Sequence, residues 1–319
     1  MSNFLEKTGL HEIYDYNEFY RRVIKLRDGR DAILWVNKND NHGILDPEFW
    51  ENPEFYYEEY RNQFSANLDN FTSSKEHLKV YKDINKRQFN QFKNNLNKDT
   101  KFLEIGSSFG GVLQHVNKNK LKTIHAIEPN RQDSEFTSFK FKKSIVFNSL
   151  FEDFNFDTKY NMIVSFEVLE HIFDLSKFIK KLFDILEEGG KLNFEVPNHN
   201  DALLVNYKSD YYQSFYYHKS HVHYFTPESL IKIFKHFGIY GEVDSFQMYP
   251  FFNQIFWMYN NKPQSSASEA FKYPCTIDEN FVNKKIYKFF KKTDRNYQKL
   301  MSDKLCGDCL IFRGIKNKK

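Results

Sequence analysis

From Thr100 onward the apolar positions follow two alternating periods. Lys101–Ile105, Thr123–Ile127, Ser144–Phe147, Tyr160–Ser165 and Lys191–Val196 are short apolar runs with the length of buried strands. Helical spacing takes over between them, at Val112, Leu113 and Val116 and again at Phe178, Ile179, Leu182, Phe183 and Leu186, where Gly189-Gly190 closes the stripe. A further helix starts at Thr226-Pro227, with Thr226 as N-cap, Pro227 at the first helical position and a stripe of Leu230, Ile231, Phe234 and Phe237 ending at Gly238. Strands at about Gly241–Met248 and Cys309–Gly314 complete a set of seven. Regular alternation of this kind predicts an α/β fold, a Rossmann-like doubly wound sheet with helices on both faces.

The first 98 residues are less regular. Ala32–Asn37 has strand character, Asp46-Pro47 opens a helical stretch in which Tyr56, Tyr57, Tyr60 and Phe64 repeat at helical spacing, and a second helix covers about Ser74–Asn95. Residues 1–98 are therefore expected to be a mainly helical accessory region, a dimer-forming face or a lid, in front of a catalytic domain over 99–319. Within that domain residues 250–304 are an insertion before the last strand, with a helix at Phe281–Met301 that carries Ile286, Phe289 and Phe290 on one side. It is expected to cover the site or to lie on the N-terminal region.

Composition narrows the function classes. The 46 Lys and Arg against 42 Asp and Glu leave a formal charge of +4, interspersed along the chain, which gives no footprint for nucleic acid. No run approaches the ~20 apolar residues needed to span a bilayer, and the aromatic-rich Phe251–Tyr259 is broken by Asn253 and Gln254. The N-terminus lacks a basic start followed by an apolar stretch, and Cys275, Cys306 and Cys309 make no disulfide framework, so a cytoplasmic location is expected.

The chemistry starts at KFLEIGSSFGG, Lys101–Gly111, where a strand runs into a glycine turn and a helix, as nucleotide-type sites do. A dinucleotide turn wants glycine at Gly106, at position 108 and at Gly111, but position 108 is Ser108. Glu128 stands 22 residues after Gly106 at the end of the second strand, where a carboxylate accepts both ribose hydroxyls of an adenosine. Glu104-x-Gly106-x-x-x-Gly110-Gly111 resembles the first motif of class I S-adenosylmethionine (SAM) dependent methyltransferases. Asn161 to Asp174 is similar to that family's D-x-I-x-x-x-x-V-L-E-H-I-x-D signature with Asn161 for Asp, and ILEEGGKLNFEVPN to its L-x-P-G-G-x-L segment with Glu188 for Pro. The resemblance covers about residues 100–249 and 300–315. It implies SAM as cofactor, S-adenosylhomocysteine (SAH) as product, and a cofactor site of Glu104, Gly106, Ser107, Gly110, Glu128, Phe151, Glu152, Phe166 and His171. Gly106 and Gly110 would give the methionine moiety room. Phe151 or Leu150 would lie on the adenine and Glu152 or Asp153 accept from its amino group, while Asp174 suits a helix N-cap.

The acceptor is expected to meet the segment His218-Lys-Ser-His221-Val-His223-Tyr-Phe-Thr226. It resembles methyltransferases of sugars and polyketide-like small molecules, which implies His221 as catalytic base and His218 as a second polar active-site residue. Three His within six residues also raise a metal site, but a zinc centre wants a further ligand and no cysteine pair lies nearby in sequence, so no metal is expected. Cys306-Gly-Asp-Cys309 coincides with the family's G-D-x-L hairpin. The implied partner is a small acceptor, a sugar or nucleotide-sugar of surface-polysaccharide synthesis, and the N-terminal region is the expected contact of a homodimer. O-methylation is favoured because the similar C-methyltransferases carry an N-terminal cysteine cluster, and this chain has no cysteine before Cys275. C- or N-methylation, a non-catalytic SAM-binding protein and a nicotinamide-dependent oxidoreductase are the alternatives. Ser108 and the Leu-Glu-His-Ile run argue against the last.

Overall fold

Near the N-terminus, alternate residues of one strand turn inward: Ala32, Leu34 and Val36 are buried while Ile33 and Trp35 stay partly exposed. That strand is β2 (Asp31–Asn37), and with β1 (Phe19–Lys25) and β3 (Gly43–Leu45) it forms an antiparallel meander. This is a computed structural model of the 319-residue chain, and it describes residues 3–52, 74–271 and 281–317. The remaining strands are β4 (Lys101–Ile105), β5 (Thr123–Ile127), β6 (Ile145–Phe147), β7 (Tyr160–Phe166), β8 (Leu186–Pro197), β9 (His223–Tyr224), β10 (Ile239–Phe246) and β11 (Cys309–Lys316).

Seven of them make one sheet in the order β10-β11-β8-β7-β4-β5-β6. The pairs among β4 to β8 are parallel, and β11 runs antiparallel between β8 and β10. β5 and β7 flank β4 on opposite sides, so the chain reverses its winding there and opens a crevice at the carboxyl ends of these strands. The Leu175–Ile185 helix buries Leu175, Phe178, Ile179 and Leu182 against the sheet, and Asp174 caps it by accepting from the Lys177 amide at 2.9 Å. Thr226 caps the Pro227–His236 helix in a capping box with Ser229, as expected, but the buried stripe is Leu230, Ile233 and Phe234, and Ile231 faces solvent. Asn161, in the place of the family's Asp, accepts the Lys101 amide at 2.9 Å and so ties β7 to the start of β4.

Three local expectations change. Gly189-Gly190 does not cap a helix: the helix ends at Ile185, and the glycines sit in an irregularity of β8 between the Tyr160–Leu186 and Met162–Lys191 pairs. The helix expected over Ser74–Asn95 is two helices, Ser74–Val80 and Lys82–Phe92, broken at Tyr81. Among its described residues the N-terminal extension is also less helical than expected. Asp46-Pro47 opens only the short Pro47–Phe49 turn, and β1 to β3 join β9 in a second, four-stranded sheet. Tyr56, Tyr57, Tyr60, Phe64 and Cys275 lie outside the described residues.

The insertion contributes the helices Phe251–Asn260 and Phe281–Asp303. Asp294 of the second accepts the Phe251 amide at 2.8 Å, and Trp257 of the first meets Tyr212 edge-on and Phe215 at a tilt, both on the Asp210–Tyr216 helix. Ile286 and Phe289 are exposed. Among the described residues no helix is long and apolar enough to cross a membrane.

Candidate active site

At the carboxyl ends of β4, β5 and β7 lies a cavity of about 470 Å³, within the roughly 300–1,000 Å³ of small-molecule sites. Each strand delivers one expected residue to it: Gly106 after β4, Glu128 after β5 and Phe166 at the end of β7. Gly106 has φ 75°, and a Cβ there would stand 2.4 Å from Cγ2 of Val168, so only glycine leaves this backbone bare at the cavity. Two residues on, Ser108 takes φ 46°, the left-handed conformation that a glycine would hold without strain. Its amide donates to Glu128 Oε2 at 2.7 Å and the Asn130 amide to Glu128 Oε1 at 2.9 Å, which fixes the carboxylate at the strand end.

Phe151 and Glu152, from the loop after β6, and His171, after β7, line the same cavity. The Phe151 ring lies 4.7 Å from that of Phe178 and closes an apolar end with Leu150, while burial raises the Glu152 carboxyl. Asp153 is not in the lining, so Glu152 is the acidic residue this loop presents. Glu104, Ser107 and Gly110 stand behind the lining. Glu104 is buried with Oε2 unbonded, and burial, then the neighbouring Glu128, hold its carboxyl well above the usual range. Gly110 is required for packing: its Cβ would meet the Phe141 ring at 2.4 Å. Of the two glycines expected to make room for the methionine moiety, only Gly106 lines the cavity.

Sequence reasoning missed two walls. One is the N-terminal helical pair, through Tyr81, Asn85 and Gln88, whose four- and three-residue spacing marks one helix face. The polar residues at buried positions 85 and 88 were the available signal. The Lys82–Phe92 helix is pinned by Glu195 of β8, whose oxygens accept from Arg87 at 2.6 and 2.7 Å and from Gln88 and Gln91 at 3.1 and 2.6 Å. The other wall is Met248-Tyr249. Their amides donate to the Asp308 carboxylate at 2.6 and 3.1 Å, so the residues between Cys306 and Cys309 hold this wall in place.

His218 and His221 do not line the cavity. They lie one layer behind His171: the His171 and His221 rings are 4.7 Å apart and the His218 and His221 rings 3.7 Å. β9 holds this segment by pairing with β3, the Val222 amide donates to the Glu170 carbonyl at 2.8 Å, and His171 Nδ1 bonds the Ser220 carbonyl at 2.7 Å. Burial, then the neighbouring imidazoles, depress His221, and burial lowers His171 to about 4. Glu170, 1 % exposed and pushed up to about 8 by burial, stands between the rings, 3.8 Å from Nε2 of each. Glu167, at φ 55°, lines the cavity beside them.

The arrangement suits a nucleoside-type ligand along Gly106, Glu128 and Phe151, in a cavity that Glu167 and His171 also line. Residues 75–241 match the family model described as a methyltransferase domain. Among solved structures, a SAM-dependent methyltransferase of Thermotoga maritima, described as a possible histamine N-methyltransferase, is 14% identical, with 81% of this chain and 98% of that chain covered and a TM-score of 0.48. A SAM-dependent methyltransferase of Archaeoglobus fulgidus is 16% identical over 74% of this chain and 94% of its own, with a TM-score of 0.48. The plantazolicin methyltransferase in complex with SAH is 12% identical over 83% and 93%, with a TM-score of 0.49. No curated protein matches the sequence.

Proposed function

The match over residues 75–241 spans more than half of the chain, which therefore belongs to the methyltransferase domain family, and we propose that this SAM-dependent enzyme methylates a hydroxyl of a small polar acceptor, a sugar or nucleotide-sugar of surface-polysaccharide synthesis. When bound, SAM supplies a methyl group already activated on a sulfonium sulfur. What is left to the chain is to hold the donor, align the acceptor, exclude water and receive the hydroxyl proton. The observation that carries the reading is one cavity lined together by Gly106, Glu128, Phe151, Glu152, Glu167 and His171.

The donor residues fit SAM. Glu128, fixed by the amides of Ser108 and Asn130, has the chemistry to accept from ribose hydroxyls, and the apolar end at Leu150, Phe151 and Phe178 suits adenine. Glu152 is the acceptor for the adenine amino group. The Glu170–His171–His221 cluster is where the acceptor's proton is handled, with His171 at the surface of the cavity and His221 behind it.

Incubation with methyl-labelled SAM and a panel of nucleotide-sugars tests the reading. Transfer of label to a sugar hydroxyl is the expected result, and labelling of amine acceptors with none of any sugar would overturn it. His221→Ala should lower turnover by about a hundredfold or more while SAH affinity by calorimetry stays within about twofold. Undiminished turnover would remove the cluster from catalysis.

A further inference from the structure

Glu170 is a buried carboxylate with an uncommon environment. Neither oxygen has a hydrogen-bond partner; the two imidazoles stand nearest, Glu167 and Glu195 add like charge around it, and no lysine or arginine forms an ion pair with it among the described residues. A buried carboxylate left without donors is costly, so something positive belongs beside it.

The tautomer of His171 sharpens the point. Its Nδ1 bonds the Ser220 carbonyl at 2.7 Å, and a carbonyl only accepts, so Nδ1 carries the proton and a neutral ring has its lone pair on Nε2. That lone pair faces Glu170 Oε1 at 3.8 Å, and His221 Nε2 faces the same oxygen at 3.8 Å. Both gaps are too long for a hydrogen bond, so a proton on Glu170 does not close them in this geometry. Backbone capture of the far nitrogen is the usual support of a metal-ligating histidine.

We propose that Glu170, His171 and His221 bind a divalent transition cation, whose remaining coordination positions open toward the cavity and take hydroxyl oxygens of the acceptor. The three ligand atoms lie within 4.8 Å of one another. Two ligands bonded at about 2.1 Å stand at most about 4.2 Å apart. The two edges through Glu170 already meet that limit, and the imidazole–imidazole edge reaches it by rotation of His221, whose Nδ1 bonds nothing. Two imidazoles and one carboxylate suit Mn²⁺, Co²⁺, Fe²⁺ or Zn²⁺ better than Mg²⁺. The other acidic cluster, Glu167, Glu195 and Cys309, is a poorer site because Arg87, Gln88 and Gln91 already engage both oxygens of Glu195.

The assignment rests on the acceptor being a hydroxyl, as proposed above. A hydroxyl held on the cation becomes more acidic: its O–H bond breaks, the oxygen keeps the electron pair on the cation, and the proton leaves to water in the cavity. His221 then acts as a ligand and need not be a free base. The sequence separates these ligands by 50 residues, which is why the three-histidine segment looked one ligand short.

Calorimetric titration of EDTA-treated protein with MnCl2, CoCl2 and MgCl2 tests the site, with the visible absorption of bound Co²⁺ as a second readout. One Mn²⁺ or Co²⁺ per chain is expected, bound more tightly than Mg²⁺. Glu170→Gln and His221→Asn should each weaken Co²⁺ binding by at least about tenfold, with circular dichroism and SAH affinity retained. Two independent variants guard against one that fails to fold. Wild-type protein that binds SAH but neither Mn²⁺ nor Co²⁺, or folded variants that bind Co²⁺ as tightly as wild type, overturns the site and leaves methyl transfer standing. A protein that binds cation but transfers label only to amines overturns the acceptor assignment instead.

Discussion

Ser108 holds a backbone conformation that its side chain opposes, at φ 46° in the turn that fixes Glu128. A β-branched residue there would oppose it further, so Ser108→Val should destabilise the fold by about 1–2 kcal/mol, read as a lower urea midpoint. An unchanged midpoint would show that the turn relaxes at no cost. Glu128→Ala removes the acceptor for two amides and the ribose acceptor proposed above, and should weaken SAH binding by at least about tenfold, roughly 1.4 kcal/mol. Calorimetry yielding wild-type affinity would take Glu128 out of the site. These two residues were legible because each is tied to a strand end, and strand ends follow from local periodicity. The contact of His221 with Glu170 was not legible, because it depends on a strand pairing between residues 43–44 and 223–224 that no local pattern encodes.

At the scale of elements, the Lys82–Phe92 helix is joined to β8 by one buried carboxylate with four hydrogen bonds. Glu195→Ala would leave the Arg87 guanidinium largely buried without its counter-charge, which should cost about 3–5 kcal/mol. Chemical denaturation checks it, and a loss below about 1 kcal/mol would mean that Arg87 escapes to solvent. The same contact shapes the cavity, because Gln88 is both a donor to Glu195 and part of the lining. Periodicity reproduced β4 and β5 to the residue and placed the helix caps at Asp174 and Thr226, since these depend on neighbours along the chain. It misplaced Gly189-Gly190, which can end a helix or deform a strand, and only the β7–β8 register decides between the two.

Across the whole molecule the N-terminal sheet and the histidine segment are one structure. His199 shows the coupling: its Nδ1 bonds the Asn41 carbonyl at 2.8 Å and its Nε2 the Tyr217 hydroxyl at 3.0 Å. Burial lowers His199 to about 4, so the folded state resists a proton that the unfolded chain takes up near 6.5. A group of this sign contributes its stability above 6.5 and loses it as pH falls toward 4. The destabilisation caused by His199→Gln should accordingly shrink by about 2 kcal/mol between pH 7 and pH 5, measured as the difference between wild-type and variant unfolding free energies at each pH. A constant difference would mean that His199 accepts the proton without loss.

The pairing of β3 with β9 also has a consequence in time. Strand β3 is complete at Leu45, but its partner begins at His223, roughly 180 residues later. At about 5–20 residues per second, a ribosome exposes β3 for on the order of 10–40 s before β9 exists to cover it. During that interval the edge of β3 can template a neighbouring nascent chain. The histidine segment waits as well, since it gains its final position only when the oldest and the newer parts of the chain meet. Completion of the histidine segment is thus a late event in the synthesis of each molecule, and the N-terminal strands made first are among the last to be closed.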